Sequence, residues 1–104
     1  MSCLYDFPPE RQQQAVDIVR GDPQATAELG AFLEALQDNP LPAARQWLSP
    51  HDATSFWCRL NCGIYVSWKI EASPEDMIKL WTGHVSPAIV IKVLGIERGA
   101  PPGM

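Results

Sequence analysis

The segment FWCRLNCGIYVSWKIE, residues 56–71, constrains the fold more than any other part of the chain. Its second half alternates apolar and polar residues, the pattern of a half-buried strand. A two-residue turn at Cys62 and Gly63 would place Arg59 opposite Val66 and mix polar side chains into the apolar face. A three-residue loop keeps that face apolar, pairing Leu60 with Ile64, Cys58 with Val66 and Phe56 with Trp68. The sequence therefore predicts a hairpin in this second register, with Gly63 in the left-handed conformation.

The same register exposes the other side of the hairpin. On that side Arg59 is predicted opposite Tyr65, and Trp57 opposite Ser67, with Lys69 further along the strand. Aromatic and basic side chains together suit contact with a partner, or stacking on a nucleic-acid base. A solvated sheet face is the alternative, because mixed polar faces are ordinary on antiparallel sheets. The sequence leaves both interpretations open.

Two helices are predicted before the hairpin. The first follows Pro8 and Pro9 and ends before Gly21, which suits a left-handed cap. The second begins with Asp22 as its side-chain cap and Pro23 as its first helical residue. Its apolar residues recur at i, i+3, i+4 and i+7, and these are Leu29, Phe32, Leu33 and Leu36.

The segment between the second helix and the hairpin is harder to assign. Proline disfavours helix in the residue before it, so the second helix is predicted to end at Asn39. Residues 41–48 are predicted to add another turn or two of helix carrying Trp47. Residues 49–52 are predicted to form a loop, after which the strands begin.

A short helix and a last strand are predicted after the hairpin. The helix has Ser73 as its cap, Pro74 as its first residue and Gly83 as its end. Residues 88–96 are apolar on both faces apart from Lys92, as expected for a covered strand. The residues predicted to join the core are Ile89, Ile91 and Val93. The residues left for the connecting helix, the N-terminal segment or a second subunit to cover are Val90, Leu94 and Ile96.

Composition narrows the class of protein. The 104 residues suit one domain, predicted at 1–98 with a flexible tail at 99–104. A formal net charge of -4 makes nucleic acid an unlikely dominant partner. Three cysteines without a pairing framework indicate reduced thiols in the cytoplasm, and no apolar run is long enough to span a membrane. Neither a metal site nor a cofactor is predicted, because Cys58 and Cys62 lack the usual zinc spacing.

The order of these elements resembles the RelE/ParE-type toxins of bacterial toxin–antitoxin pairs, over residues 15–98. LEALQDNPLPAARQWL is similar to that family's second helix with its asparagine-proline end. RLNCGIYVSWKIE resembles the family's arginine-containing hairpin, and IVIKVLGIERG resembles its last strand and the basic residue that follows. The resemblance implies an α+β fold, with two N-terminal helices on a small, mainly antiparallel sheet and a short helix inserted before the last strand.

The resemblance also implies a function and a set of residues. Arg59, Lys92 and Arg98 fall at positions that are basic in the family. Asn61 and Val66 stand where arginine is expected, and Ile96 stands near the usual histidine, so the ribonuclease set is incomplete and catalysis is left undecided. The expected function is a toxin-like protein that acts by protein–protein contact, interfering with translation or with gyrase.

Two surfaces follow as hypotheses. The toxin-like function would use a binding face comprising Trp57, Arg59, Tyr65, Lys69 and Arg98. The alternative is a non-enzymatic binding or dimerisation module, with an interface comprising Trp81, Val90, Leu94 and Ile96. The partner would be an antitoxin-like protein in the first case and a second copy of the chain in the other.

Overall fold

Three helices and five strands form the part of the chain that the computed structural model describes, residues 3–43, 45–49 and 51–99. In chain order they are β1 (Leu4–Asp6), α1 (Pro9–Ile18), α2 (Pro23–Asp38), β2 (Gln46–Ser49), β3 (Asp52–Arg59), β4 (Ile64–Glu71), α3 (Pro74–Trp81) and β5 (Val90–Arg98). The predicted α+β class is confirmed. The predicted tail beyond residue 99 lies outside the described residues.

The strands form one mixed sheet in the order β1-β5-β4-β3-β2. β1 runs parallel to β5, and the other neighbouring strands are antiparallel. The predicted hairpin register is confirmed, with Phe56 opposite Trp68 and Cys58 opposite Val66. Gly63 closes the loop at a φ of 87°, where a Cβ would be strained.

Local capping explains where two of the helices begin. Asp22 accepts a hydrogen bond from the backbone N–H of Ala25 at 3.0 Å, at the start of α2. Ser73 accepts one from the N–H of Asp76 at 3.2 Å, at the start of α3. Each satisfies an N–H group that the first helical turn cannot pair. Both caps agree with the sequence prediction.

One side of the sheet, the inner face, packs against the helices and forms the core. Trp68 is fully buried there, with its ring centroid 5.8 Å from that of Phe32 on α2. Its indole N–H donates to the carbonyl of Pro40 at 3.1 Å, so its one polar group is satisfied. The buried strand residues that share this core are Phe56, Cys58, Ile64, Val66, Ile70, Ile91, Val93 and Ile96.

A bulge in β5 changes the predicted pattern of that strand. Ser67 pairs with Gly95 and Trp68 pairs with Val93, which leaves Leu94 as an extra residue on β5. An extra residue reverses the alternation that follows it. Ile96 consequently turns into the core and is 0% exposed, so the prediction that it lies on the opposite face from Ile91 and Val93 is wrong.

Two edge strands were not predicted. The helix predicted over residues 41–48 is wrong, because Gln46–Ser49 pairs with β3 and places Trp47 opposite Phe56. β1 has only three residues, too few to show an alternating pattern, and it pairs with a strand far away in the sequence. Both strands exist because of tertiary pairing, which local propensity does not record.

Candidate functional site

The outer face of the sheet, opposite the inner face, is the candidate site. In the described part of the chain, the buried apolar residues of the helices belong to the inner core, on the opposite side of the sheet. The strand register sets its side chains in four rows. The rows are Arg59, Tyr65 and Glu97; Gln46, Trp57, Ser67 and Gly95; Ser55, Lys69, Lys92 and Asp6; and Glu71, Val90 and Leu4.

Two aromatic residues, Trp57 and Tyr65, form a pair on this face. Their ring centroids are 5.7 Å apart with an interplanar angle of 49°, and both side chains are half-buried. They lie diagonally across β3 and β4, within the distance at which large side chains make contact. The aromatic pair is thus a stiff apolar surface with polar tips, the kind that is enriched in binding sites.

Small residues lie at the centre of the outer face. Ser67 is 4% exposed and Ser55 is 3% exposed, so neighbouring groups shield both side chains from solvent. The Ser67 hydroxyl lies 3.4 Å from the carbonyl oxygen of Gly95, and a Cβ at position 95 would lie 3.2 Å from that hydroxyl. The centre of the outer face is therefore closely packed around small side chains.

Two lysines, Lys69 and Lys92, lie directly opposite each other in the row next to Ser67 and Gly95. Like charges in such a pair are destabilising. Within the described chain neither lysine has a carboxylate within ion-pairing distance. Both side chains are half-buried, so water screens them less than it screens fully exposed lysines. The lysine pair thus places two positive charges side by side, and the carboxylates nearest to it among the described residues lie beyond ion-pairing distance.

Acidic residues surround the lysine pair. Asp6 lies opposite Lys92, and Glu71 is two residues beyond Lys69 on β4. Asp52 accepts hydrogen bonds from the Ser55 hydroxyl at 2.7 Å and from the Thr54 N–H at 2.9 Å. Bonds from the side chains of Thr54 and Ser55, followed by the Thr54 N–H, lower the Asp52 pKa to about 2. Asp52 is thus a fixed anion at the margin of the outer face.

The predicted binding face is only partly assembled. Trp57, Arg59, Tyr65 and Lys69 share the outer face, as the predicted hairpin register requires. Arg98 lies opposite Ile64, an inner-face residue. Its guanidinium donates to the carbonyls of Ile18 and Cys62 at 3.1 and 3.2 Å. Arg98 therefore ties α1 and the hairpin loop to β5 rather than joining the outer face.

The four residues of the predicted interface do not form one surface. Trp81 stacks on Trp47, with ring centroids 6.4 Å apart, and the Arg45 guanidinium lies 5.2 Å from the centre of the Trp81 ring. Trp47 lies opposite the core residue Phe56, whereas Val90 lies on the outer face. Trp81 and Val90 therefore lie on opposite sides of the sheet, and Ile96 is buried in the core.

The lysine pair was not predicted from the sequence. Lys92 stood out as the one charged residue in an apolar strand, but its neighbour across β4 depends on the register between β4 and β5. α3 separates these two strands in the sequence, so no tight turn fixes that register. Lys92 was therefore recognisable in the sequence as unusual, but its position beside Lys69 was not.

The cysteines and histidines form no second site. Cys3 and Cys58 are buried, and burial raises the pKa of both thiols, so they carry little thiolate. Cys62 is half-buried, and none of the three is in a disulfide. Across residues 3–43, 45–49 and 51–99, no three His, Cys, Asp or Glu side chains are grouped to hold a metal ion. No helix in these ranges has the length and apolar character needed to cross a membrane.

Comparison of the chain with protein-family models, with curated proteins and with solved structures gives no match. The function must therefore be inferred from the residues of the outer face.

Proposed function

We propose that this chain is a protein-binding module that contacts its partner through the outer face of the sheet. The observation that carries the proposal is the uncovered aromatic pair, Trp57 and Tyr65, beside two adjacent lysines that have no carboxylate within ion-pairing distance in the described chain. Aromatic residues at the centre of a contact supply much of the binding free energy, and neighbouring charges orient the partner.

A toxin-like role is the specific form of this proposal. It rests on the resemblance to RelE/ParE-type toxins and on the order of two helices, hairpin and last strand. Such a protein would act by occupying a target protein, since Asn61 and Val66 stand where the resemblance would require arginine. Contact through the outer face needs no catalytic group, and the partner would be a target or an antitoxin-like protein.

Affinity capture with folded variants tests the binding proposal. The wild-type chain is compared with a Trp57→Ala, Tyr65→Ala variant and with a Trp47→Ala control, whose indole is exposed beside Trp81. The proposal predicts a protein that the wild type and the control retain and that the outer-face variant loses. Equal retention by all three, with each variant shown to be folded, would refute it.

Induced expression in a bacterial host tests the toxin-like form. Growth and bulk translation are followed for the wild type and for Trp57→Ala, Tyr65→Ala. The toxin-like form predicts growth arrest that the variant relieves while remaining soluble. Unimpaired growth with soluble wild-type protein would rule out an active toxin in that host and leave the capture experiment to decide on binding.

A further inference from the structure

We infer that the partner segment places one carboxylate side chain between Lys69 and Lys92, with basic residues on either side of that carboxylate. This inference rests on the proposed function, because it concerns the partner of the same outer face. The group between the lysines is an acidic side chain of a protein and not a phosphate of a nucleic-acid backbone.

The lysine pair indicates that the partner places a negative charge at the centre of the contact. Lys69 and Lys92 are directly opposite each other across β4 and β5, and like charges in such a pair are destabilising. A carboxylate placed between them would remove this repulsion and could accept a hydrogen bond from each lysine. Both side chains are half-buried, which strengthens an added interaction of this kind relative to one at a fully exposed site.

The row next to the lysine pair contains small residues. Ser67 lies opposite Gly95 there, and neither projects far from the sheet. Trp57 lies in the same row and Tyr65 in the row beyond it, so the aromatic pair would contact an apolar part of the same partner segment.

The acidic residues around the lysine pair favour a protein over a nucleic acid as the partner. Asp6 and Glu71 lie beside the lysine pair, and Glu97 lies beside Tyr65. A polynucleotide places a phosphate at every nucleotide and binds where Lys and Arg are clustered along its path. On the outer face its second and third phosphates would meet carboxylates, and the whole chain carries a net charge of -4. One acidic residue between basic ones is complementary to this arrangement.

Selection from a phage-displayed library of random peptides tests the inference. Peptides are selected on the wild-type chain, and those that also bind the Trp57→Ala, Tyr65→Ala variant are discarded. The remaining peptides should be enriched in Asp or Glu, with Lys or Arg nearby. A selected peptide should bind the Lys69→Met variant about tenfold more weakly, the loss expected for a charged hydrogen bond.

Matched controls keep the test specific. Lys79 on α3 already pairs with Glu75 at 3.3 Å, so Lys79→Met should leave the affinity of the same peptide unchanged. Lys92→Met should weaken binding as Lys69→Met does. Lys→Met keeps the aliphatic stem, and circular dichroism checks that each variant is folded.

Three outcomes would overturn the inference. Selected peptides without enrichment in acidic residues, or with equal affinity for Lys69→Met, would remove the central carboxylate while leaving the outer face as a binding site. Tighter binding of a single-stranded RNA oligonucleotide than of any selected peptide, lost in Lys69→Met, would assign the lysine pair to nucleic acid. Failure to find any peptide that depends on Trp57 and Tyr65 would refute the outer-face proposal as well.

Discussion

Two tryptophans on neighbouring strands show how the two faces of this sheet differ. Trp68 on β4 points into the inner face, is fully buried and donates its indole N–H to Pro40. Trp57 on β3 points to the outer face, is half-buried and contacts Tyr65. The residue type is the same, and the alternation of the strands alone decides that one tryptophan stabilises the core while the other is available to a partner.

The largest change in the free energy of unfolding is expected for the buried tryptophan of the core. Trp68→Ala should lower the free energy of unfolding by about 3–5 kcal/mol, because it removes a buried aromatic side chain and leaves a cavity and an unpaired carbonyl. Trp57→Ala should lower it by about 1 kcal/mol, mainly through the lost contact with Tyr65. Urea denaturation followed by circular dichroism measures both. Equal losses would mean that the outer face is as structural as the inner one.

A smaller difference is predicted for two arginines. Arg98→Met should lower the free energy of unfolding by about 1–2 kcal/mol, because it removes hydrogen bonds to two backbone carbonyls. Arg59→Met should change it by less than about 0.5 kcal/mol, since Arg59 is exposed on the outer face. The same urea experiment compares them. If Arg59→Met lowered the free energy of unfolding more than Arg98→Met, Arg98 would not be the arginine that stabilises the fold.

Acid should remove the contribution of Asp52 to the free energy of unfolding. The pKa of Asp52 falls from 3.8 to about 2 on folding, so its carboxylate stabilises the folded chain above pH 3.8, and this contribution disappears as the pH falls through about 2. Asp52→Asn should therefore be less stable than the wild type at neutral pH, and the difference should shrink over that acidic range. Thermal unfolding at several pH values measures it. A constant difference across the range would rule out this titration as the cause.

The smallest predicted effect is an increase in the free energy of unfolding. Lys69→Met should raise the free energy of unfolding by a few tenths of a kcal/mol, because the repulsion from Lys92, directly opposite, outweighs the weak attraction to Asp52. Lys79→Met should lower it by a similar amount, because it removes an exposed pair with Glu75. Thermal melts of the two variants test the contrast. A loss of stability in Lys69→Met would show that this lysine supports the fold.

The sequence predicts those parts of the fold that local patterns control. Asp22 and Ser73 cap their helices, and Gly63 closes a loop whose register follows from one apolar face. Because the hairpin register is local, it placed Trp57 and Tyr65 on the same side. Those elements need no information from distant parts of the chain.

Long-range pairing accounts for what the sequence did not predict. Residues 46–49 form a strand only because β3 provides an edge, and β1 exists only beside β5. The bulge at Leu94 moves Ile96 into the core, and the register between β4 and β5 places Lys92 beside Lys69. The aromatic half of the candidate site was thus predictable from the sequence, whereas the lysine pair was not.

Site-specific photo-crosslinking shows whether the outer face binds a protein. A benzoylphenylalanine replaces Tyr65 on the outer face or, as the control, the exposed Trp47 beside α3, and the chain is irradiated inside the cells that produce it. We expect one discrete protein adduct from position 65 that position 47 does not give. The absence of an adduct from position 65, with a discrete adduct from position 47, would contradict this expectation.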